Sequence, residues 1–298
     1  MAAQDPISGL SVVSTGSVWI RPEHVGPTRK NVYVWLVTSH QWTRPLPINA
    51  YVIEHREGLV LFDTGQDRAG VTDPGYFPPG FTGFLYDRLN RFDIGPDQTL
   101  NRQLAAIGHH IDDVHTVALS HLHHDHIGGL PELGHARILV SDLEWSAIKR
   151  PLPALRGFLN NHIELNGLRW SMVQPEPLGD PSLMPFTNGH DLFGDGSLVL
   201  LPTPGHTPGS MSLLVRRPGR RPLLMVGDLT YDAELLAAGT VPGAGNKRQL
   251  RRTVAAVNEL RLRTPGLTVL PAHDPQAARR LSASLRTPTG PADPMPPG

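Results

Sequence analysis

The sequence predicts a four-layer αββα sandwich, in which two β-sheets pack face to face and helices cover their outer faces. The chain has 298 residues, which is long enough for one large α/β domain. Short runs rich in Val, Ile, Leu, Tyr and Trp dominate its first part and return after its middle. The predicted elements run strands, helices, strands, helices, without strict βαβ alternation. Together, these three observations favour two packed sheets with helices outside.

Strands dominate the first part of the chain. Runs of apolar and β-branched residues, separated by Gly, Pro and charged residues, predict strands at Ser11–Ile20, Asn31–Val37, Ile48–Glu54 and Gly58–Phe62. The dipeptide Glu57-Gly58 predicts a hairpin turn between the last two strands. The segment Asp73–Gly83 is dense in Pro, Gly and aromatic residues and predicts a loop. This loop is either a packed surface connection or a lip that faces a substrate.

A helix and two strands follow this loop. Gln98–Ile107 predicts a helix, with Asp97 as its N-cap and Gly108 as its stop. His115–Ser120 and Ile138–Val140 predict buried strands because they are short apolar runs. The first of these strands delivers the chain into a turn rich in histidine.

A second helix begins after Ser141, which is a favourable N-cap, and its first turn holds Asp142 and Glu144. Residues 151–185 mix helical and irregular patterns and receive no assignment. The remaining predicted elements are the strands Ser197–Leu201, Met211–Val215, Leu223–Val226 and Leu267–Leu270, and the helices Gln249–Leu262 and Ala277–Leu285. We therefore expect one domain over residues 1–286. The Pro- and Gly-rich tail at 287–298 is predicted to be disordered.

The composition narrows the possible partners. Lys plus Arg and Asp plus Glu both number 27, so the formal net charge is zero. A nucleic-acid-binding protein usually carries a basic excess, and no run approaches the roughly 20 apolar residues of a membrane span. We therefore expect no nucleic-acid or membrane partner. The start of the chain lacks the features of a secretion signal, which predicts a cytoplasmic protein.

The pattern HLHHDH at residues 121–126 is the densest group of potential metal ligands. His121 and His123 are two residues apart, so an extended backbone points both imidazoles the same way. A turn then allows Asp125 and His126 to face a second point nearby. The chain has no cysteine, so His and carboxylate side chains must supply all ligands. One short segment can thus contribute two ligands to each of two metal ions.

The surroundings of residues 121–126 favour a buried site over a solvated surface loop. The segment directly follows a strand that is predicted to be buried. Polar groups taken from water without partners cost on the order of 1–3 kcal/mol each, and a divalent metal compensates that cost. Gly128 and Gly129 follow the segment after Ile127 and let the backbone turn sharply before a helix start.

Three further candidate ligands lie far along the chain. His206, Asp228 and His273 each stand just past the carboxyl end of a predicted strand, so all three can converge on one edge of the sandwich. Alone, each is more typical of a helix cap or a hydrogen-bonded loop residue. Their joint occurrence with the histidine-rich turn predicts a metal site.

These residues resemble the metallo-β-lactamase superfamily. The segment 121–126 is similar to its HxHxDH signature, and His206, Asp228 and His273 fall in order at its remaining ligand positions. The sequence Leu-Phe-Asp-Thr-Gly around Asp63 resembles its early Asp-Thr-Gly motif, in which the Asp is buried behind the ligands. The resemblance extends from about residue 49 to about residue 274. It is specific for the fold and the metal site and much less so for the substrate.

The resemblance implies two metal ions and a hydrolytic reaction. Each ion has three ligands, and one carboxylate is shared: His121, His123 and His206 for the first, Asp125, His126 and His273 for the second, and Asp228 as the bridge. Zn(II) suits these ligands best, although Mn(II), Fe(II) or Co(II) also fit. Two such ions share a hydroxide whose parent water has a pKa of about 7. Flavodiiron oxidoreductases of this fold typically carry Glu in place of His123, which favours hydrolysis over redox chemistry.

A finer resemblance points to the N-acyl homoserine lactone lactonases of the superfamily. In them, a Tyr three residues after the bridging Asp donates a hydrogen bond to the substrate carbonyl, and Tyr231 follows Asp228 at that spacing. Asp125 is then placed to carry a proton to the leaving oxygen. The implied activity is opening of the lactone ring, which quenches quorum signals, by a monomer or homodimer. As the alternative, Tyr231 is an ordinary core or surface tyrosine.

Some features leave the substrate open. The residue at position 124 is commonly apolar in these lactonases, whereas His124 stands here, so the pocket shape and the acyl-chain preference are open. Trp42, Phe77 and Phe81 are predicted to hold the acyl chain. Another lactone, an aryl ester or an organophosphate triester is the alternative substrate. A metal-free scaffold or binding protein of the same fold is the non-enzymatic alternative.

Overall fold

The predicted αββα sandwich is confirmed by the computed structural model, which describes residues 4–286. Two β-sheets face each other, and helices pack on both outer faces. The tail predicted at 287–298 lies outside the described residues. Among the described helices, none combines the length and the apolar content that crossing a bilayer requires.

The first sheet has seven strands within the described residues, in the order β4-β1-β2-β3-β5-β6-β7. Their bounds are β1 (Ile7–Ile20), β2 (Leu46–His55), β3 (Gly58–Phe62), β4 (Asn90–Asp93), β5 (Val114–Ala118), β6 (Arg137–Ser141) and β7 (Arg169–Val173). The pairs among β4, β1, β2 and β3 are antiparallel. The pairs among β3, β5, β6 and β7 are parallel, so the carboxyl ends of β3 and β5 lie at the same edge.

The second sheet has six strands in the described part of the chain, in the order β13-β12-β11-β10-β9-β8. Their bounds are β8 (Glu176–Pro177), β9 (Asn188–Asp191), β10 (Leu198–Pro202), β11 (Met211–Val215), β12 (Leu223–Gly227) and β13 (Thr268–Pro271). Only the pair of β12 and β13 is parallel among the described strands of this sheet.

The helices of residues 4–286 are mostly short. They are α1 (Pro22–Val25), α2 (Val32–Thr38), α3 (Ala69–Thr72), α4 (Gly80–Leu89), α5 (Leu100–Ala106), α6 (Asp142–Ile148), α7 (Asn160–Ile163), α8 (Ala233–Ala237), α9 (Lys247–Arg263) and α10 (Ala277–Arg286). Short 3-10 turns occur at Pro96–Gln98, Ile111–Asp113, Leu130–Glu132, Pro153–Arg156 and Pro181–Leu183.

The side chains of β3 show why its sequence is almost continuously apolar. Val60 and Phe62 point into the core between the two sheets, whereas Leu59 and Leu61 point into the core beneath α5 and α6. Successive side chains of a strand face opposite sides of the sheet, so a central strand that is covered on both faces is apolar at every position. Helix α9 covers the second sheet in the same way, with Val257 buried against it.

The predicted strand at Asn31–Val37 is wrong, since this segment forms helix α2. Its β-branched and aromatic residues favour a strand by intrinsic preference. However, Val32, Trp35 and Leu36 have the spacing of one helix face, and they pack together beside Leu85 of α4. Burial of this face outweighs the local preference.

The loop predicted at Asp73–Gly83 is partly wrong because α4 begins at Gly80 within it. Tyr76, in the irregular part, is buried and stacks on His162, with ring centroids 4.0 Å apart. Of the described residues that line the large cavity described below, none comes from 73–83. The described contacts therefore support a packed surface connection.

The helix predicted at Gln98–Ile107 is shorter than expected. A 3-10 turn occupies Pro96–Gln98, and α5 begins after Thr99, which takes the N-cap position predicted for Asp97. Gly108 follows the helix with φ +88°, as expected of a residue that ends it. The cap predicted at Ser141 is confirmed, since its hydroxyl accepts a hydrogen bond from the backbone of Leu143.

The other predicted elements are confirmed in type, with ends that shift by a few residues. Strands β3 and β11 have the predicted bounds, whereas β1 starts at Ile7 and not at Ser11. The predicted hairpin joins β2 to β3, but Arg56 and Glu57 form its turn and Gly58 already pairs with His55. The parallel crossovers from β3 to β7 do not follow from the predicted order of elements.

Candidate metal centre

The seven predicted ligand residues meet at one edge of the sandwich. Residues 121–126 follow β5 of the first sheet, whereas His206, Asp228 and His273 follow β10, β12 and β13 of the second sheet. The convergence predicted from strand ends is thus confirmed. The ligand atoms come from both sheets, so the centre lies where the two sheets meet.

Three groups of three side chains have ligand atoms close together, and one of them, His121, His126 and Asp228, shares its histidines with the other two. The donor atoms of His121, His123 and His206 lie within 4.8 Å of one another, and His206 Nε2 is 3.0 Å from His123 Nδ1. A second group contains Asp125, His126 and His273, also within 4.8 Å. Each group has the size and the donor types of a site for one divalent ion.

Asp228 lies between these two groups. Its Oδ1 atom is 3.3 Å from His126 Nε2 and 3.3 Å from His273 Nε2. Its Oδ2 atom is 3.5 Å from His206 Nε2. One carboxylate therefore offers an oxygen to each group, which is the geometry that a bridging ligand requires.

Several inward-facing atoms of this centre lack hydrogen-bond partners among the described residues. His121 Nε2, His126 Nε2 and Asp228 Oδ1 are buried and form no hydrogen bond to another described residue, although the last two atoms lie 3.3 Å apart. A buried polar atom without a partner costs about 1–3 kcal/mol, so an unpaired group of nitrogens and oxygens needs an explanation. Divalent metal ions accept lone pairs from all of these atoms, so the residues fit such ions.

The outward-facing nitrogens of the histidines are held by hydrogen bonds. His273 Nδ1 donates to the carbonyl of Pro47 at 2.8 Å, and His123 Nε2 donates to the carbonyl of Arg156 at 3.1 Å. His126 Nδ1 is 2.8 Å from the carboxylate of Asp63. Because carbonyl and carboxylate oxygens only accept, these nitrogens carry the proton. In the neutral form of each ring, the inward-facing nitrogen then has a lone pair for a metal.

Asp63 supports this arrangement from beneath. Its carboxylate also accepts hydrogen bonds from the backbone and the hydroxyl of Ser120, at 2.7 and 2.8 Å. The same hydroxyl is 2.9 Å from His121 Nδ1, so Asp63 connects to both groups. Asp63 is buried and has φ +60°, a left-handed conformation that non-glycine residues adopt rarely. The resemblance to the Asp-Thr-Gly motif implies this position behind the ligands.

The first group of histidines is electrically neutral. Burial lowers the pKa of His121 well below its usual value, and burial is also the main cause that lowers the pKa of His123 to about 4 and of His206 to about 3. Neutral imidazole is the form that binds a metal. At neutral pH these side chains need not lose a proton to bind an ion.

The second group carries the charge of the site. Burial acts to lower the pKa of His126, but the carboxylates of Asp63, Asp228 and Asp125 outweigh it and raise the pKa well above the usual value. Burial likewise acts to raise the pKa of Asp228, but nearby histidines hold it well below its usual value. This group of buried carboxylates therefore favours a positive charge at its centre.

Tyr231 lies beside these groups. Its hydroxyl donates a hydrogen bond to Asp228 Oδ2 at 3.0 Å, and the side chain lines a cavity of about 450 Å³ that opens onto both groups. Burial raises the pKa of Tyr231 well above its usual value, so the phenol stays protonated at neutral pH. The residue is a buried tyrosine, as the alternative expected, but it faces the candidate site.

One side of the cavity is apolar. The apolar side chains on it are Val18, Ile20, Val32, Leu89, Leu155 and Phe158. The prediction that Trp42, Phe77 and Phe81 line the cavity is wrong. Trp42 lies under Arg21, 3.6 Å from ring centroid to Cζ, and Phe81 is 70% exposed. Phe77 packs against His124, at 5.3 Å between ring centroids, and does not itself line the cavity.

Two polar residues of this region were not found from the sequence. His24 of α1 lines the cavity, and its Nδ1 atom is buried without a partner among the described residues. Gln66 lies behind the cavity and contacts His124. A lone His or Gln has no sequence signal of its own. Gln66 alone offered a weak one, since it directly follows the Asp-Thr-Gly motif.

Comparison with known families agrees with this geometry. A family model described as the metallo-β-lactamase superfamily matches residues 43–273. The chain belongs to the metallo-β-lactamase superfamily. As the resemblance of the motifs implied, it is a metal-dependent hydrolase of this superfamily.

Among its relatives is the N-acyl homoserine lactonase AttM of Rhizobium radiobacter. It is 31% identical over 243 residues, which cover 78% of this chain and 83% of the relative. The probable metallo-hydrolase Rv2300c of Mycobacterium tuberculosis is 29% identical over 289 residues, covering 88% and 86% of the two chains.

Solved structures share the fold. A variant of AiiA from B. thuringiensis, with N-decanoyl-L-homoserine bound at its active site, has a TM-score of 0.71 and 21% identity, covering 93% of this chain and 95% of that one. AidC, a dizinc quorum-quenching lactonase, has a TM-score of 0.59 and 17% identity, covering 92% of each chain. At these identities the two structures establish the fold alone.

Proposed function

We propose that this protein is a dinuclear zinc hydrolase that opens the lactone ring of N-acyl homoserine lactones. The observation that carries the proposal is the position of Tyr231. A protonated phenol, fixed by Asp228, faces a half-apolar cavity beside both ligand groups. The similarity to the lactonase AttM supports the same substrate class.

In this proposal the seven side chains hold two ions. His121, His123 and His206 bind one ion, Asp125, His126 and His273 bind the other, and Asp228 bridges them. The distances from the two Asp228 oxygens to the surrounding histidines support this division. The donor set of five imidazoles and two carboxylates, without any thiolate, suits Zn(II).

The residues of the chain then have distinct roles in ring opening. When bound, the two ions supply Lewis-acid polarisation and lower the pKa of water. When substrate is bound, the Tyr231 hydroxyl turns from Asp228 and donates its hydrogen bond to the lactone carbonyl oxygen, where negative charge develops as water adds. Asp125 accepts the proton that the attacking water loses. The bond between the carbonyl carbon and the ring oxygen breaks, and Asp125 passes this proton to that oxygen. The product is the open N-acyl homoserine.

The apolar side of the cavity accommodates the acyl chain. Leu89, Leu155 and Phe158 present hydrocarbon surface within the same cavity as Tyr231. Each methylene group that leaves water for such a surface contributes about 0.8 kcal/mol. We therefore expect kcat/KM to rise with the acyl length until the chain extends beyond these residues.

Steady-state kinetics on zinc-loaded protein test the proposal. The panel contains N-acyl homoserine lactones of increasing acyl length, an unsubstituted γ-lactone, an aryl ester and a phosphotriester. We expect the acyl homoserine lactones to have the highest kcat/KM, and the Asp228→Ala variant to lose this activity. If wild-type turnover of these lactones is no better than that of Asp228→Ala, the proposed substrate class is wrong. A higher kcat/KM for the ester or the phosphotriester assigns the site to that substrate.

A further inference from the structure

His124 occupies a position in the cavity that the proposed mechanism does not use. It lies between the proposed ligands His123 and Asp125 and lines the cavity with them. Three aromatic rings surround it: Phe77 at 5.3 Å, and Phe92 and Tyr86 at 5.5 Å between ring centroids. These apolar surroundings disfavour an imidazolium cation, so the ring presents one N–H and one bare nitrogen.

Hydrogen bonds behind the cavity determine which ring nitrogen of His124 is unprotonated. Gln66 Nε2 lies 3.1 Å from the carbonyl of Asp67, and only the NH₂ of an amide can donate to a carbonyl. The same NH₂ donates to the hydroxyl of Tyr76 at 3.0 Å. The Gln66 amide is therefore oriented, and its Oε1 atom is the one that faces His124 Nδ1, at 2.6 Å.

An amide oxygen only accepts hydrogen bonds, so His124 Nδ1 must donate and carry the proton. The other ring nitrogen, Nε2, then has a lone pair. Because Gln66 occupies the Nδ1 side of a ring that lines the cavity, Nε2 is the nitrogen available to a bound molecule. The ring thus offers the cavity a hydrogen-bond acceptor at a fixed position next to Asp125.

We propose that His124 Nε2 accepts a hydrogen bond from the amide N–H of the N-acyl homoserine lactone, with Gln66 as the residue that fixes its tautomer. This inference rests on the proposed function and extends it to substrate selection. The amide nitrogen is attached to the carbon next to the lactone carbonyl. A carbonyl held at Tyr231 therefore leaves this N–H inside the cavity that His124 also lines.

The proposal predicts selection for the amide. A lactone without the N–H leaves the buried acceptor of His124 without a partner, and a site built around a hydrogen bond rejects such an analogue. An apolar side chain at this position makes no such distinction. The histidine consequently favours acyl homoserine lactones over simple alkyl lactones of equal chain length.

The test compares two substrates and two enzymes, all loaded with zinc. The substrates are an N-acyl homoserine lactone and its analogue in which a methylene group replaces the amide N–H. The enzymes are the wild type and the His124→Phe variant, which keeps an aromatic ring among the three surrounding aromatic side chains. We expect the wild type to prefer the amide about 10-fold in kcat/KM, consistent with one hydrogen bond in a buried site. For the variant, we expect the kcat/KM values of the two substrates to agree within about 2-fold.

Nitrogen-15 NMR of the histidine side chains in the zinc-loaded protein supplies a readout that is independent of turnover. We expect His124 to carry its proton on Nδ1 and its Nε2 signal to shift when the open product, N-acyl homoserine, is added. In the Gln66→Leu variant the proton should move to Nε2, and the substrate preference should fall towards that of His124→Phe. A proton on Nε2 in the wild type overturns the proposal.

The outcomes separate this proposal from the proposed function. Suppose that the wild type opens both lactones and that His124→Phe changes the ratio of their kcat/KM values by less than about 2-fold. His124 then does not bind the amide N–H, and only this inference fails. If the wild type opens no acyl homoserine lactone, the proposed function fails and this inference fails with it. Equal metal content in wild type and variants excludes loss of the ions as the cause of any change.

Discussion

At the scale of single residues, Asp63 connects the two halves of the centre. It accepts hydrogen bonds from Ser120 and is paired with His126, and Ser120 in turn contacts His121. A carboxylate behind a ligating imidazole fixes its orientation and makes it a stronger base. Asp63 therefore acts on both proposed ions without touching either.

We expect Asp63→Asn to weaken metal binding by about 10–100-fold while leaving the fold intact. Asn has the same shape and tolerates the left-handed backbone conformation at this position, so the change removes the negative charge and one of the two accepting oxygens. Competition with a chromophoric chelator measures the affinity. Asp191→Asn, in strand β9 of the second sheet, is the matched control and should bind metal like the wild type. Unchanged affinity in Asp63→Asn would contradict a supporting role.

Tyr231→Phe tests the phenol directly. We expect kcat for an acyl homoserine lactone to fall by about 100-fold, because one preorganised donor to the developing oxyanion is lost. KM and the metal content should change little, since the lost hydrogen bond acts mainly in the transition state and the hydroxyl is not a proposed ligand. Steady-state kinetics with metal analysis measure all three. A rise in KM at unchanged kcat would instead assign Tyr231 to ground-state binding.

The sequence allowed the proposed ligands to be predicted because each is a rare residue type at the end of an apolar strand. His206 and His273 are separated by long stretches of chain, yet both follow strands of one sheet, so topology brings them together. Gln66 could not be assigned in this way. Its role depends on contacts with His124, which is distant in sequence, and with Tyr76, and such contacts cannot be predicted from local sequence patterns.

At the scale of elements, helix α6 connects the two loops that carry ligands. Its Glu144 is fully buried and accepts hydrogen bonds from the backbone N–H of Leu122 at 3.1 Å and of Gly209 at 2.9 Å. The first N–H belongs to the histidine-rich turn and the second to the loop of His206. One side chain thus aligns segments that follow strands of different sheets.

Glu144→Ala should destabilise the protein by roughly 1–3 kcal/mol for each of the two buried N–H groups that it leaves unpaired. Urea denaturation followed by circular dichroism measures the change in the free energy of unfolding. Ser146→Ala, on the exposed side of the same helix, is the control and should stay within about 0.5 kcal/mol of the wild type. A loss in Glu144→Ala no larger than in the control would show that the two loops are held by other contacts.

The glycines after the histidine-rich turn serve a different purpose from the predicted one. Gly129 has φ −83°, which any residue adopts, and a 3-10 turn at Leu130–Glu132 follows it. A Cβ on Gly128 would overlap backbone atoms of Gln66 and Asp67. The pair is needed for close approach of two chain segments and not for an unusual backbone angle.

We therefore expect Gly128→Ala to cost about 1–3 kcal/mol and to reduce activity, because the segment after Asp63 must shift. Gly134→Ala is the matched control, since its Cβ would meet only the Gly167 carbonyl, at 3.6 Å. Thermal unfolding and kinetics on both variants check this. Equal stability of the two variants would mean that the contact at Gly128 relaxes freely.

Elements that pack on both faces were the easiest to predict. The apolar runs of β3 and β11 are too short for helices and are bounded by turn residues, so the sequence marks their ends. The prediction for the segment of helix α2 was wrong because its residues prefer strands locally. Only its packing on α4 favours a helix. Residues 151–185, which received no assignment, form short pieces such as α7 and β8 that have little periodicity to detect.

At the scale of the whole molecule, the proposed ions contribute to stability. Ligands that bind only the folded state add RT ln(1 + [L]/Kd), about 4 kcal/mol at a free metal concentration of 1,000 Kd. Calorimetry with zinc and with excess chelator should therefore give a clearly lower Tm without metal. Asp228→Ala should show a much smaller difference between the two conditions. A Tm that does not respond to metal would contradict the proposed site.

The position of the centre across both sheets also relates ion selectivity to the interior. Ala118 and Met225 belong to the apolar core that separates the sheets, next to the strand ends from which the proposed ligands extend. A bulkier side chain there widens the gap between opposing donors and leaves each donor chemically unchanged. Ions with different radii should respond differently to that widening. We therefore expect hydrocarbon substitutions that never contact an ion to change the metal preference.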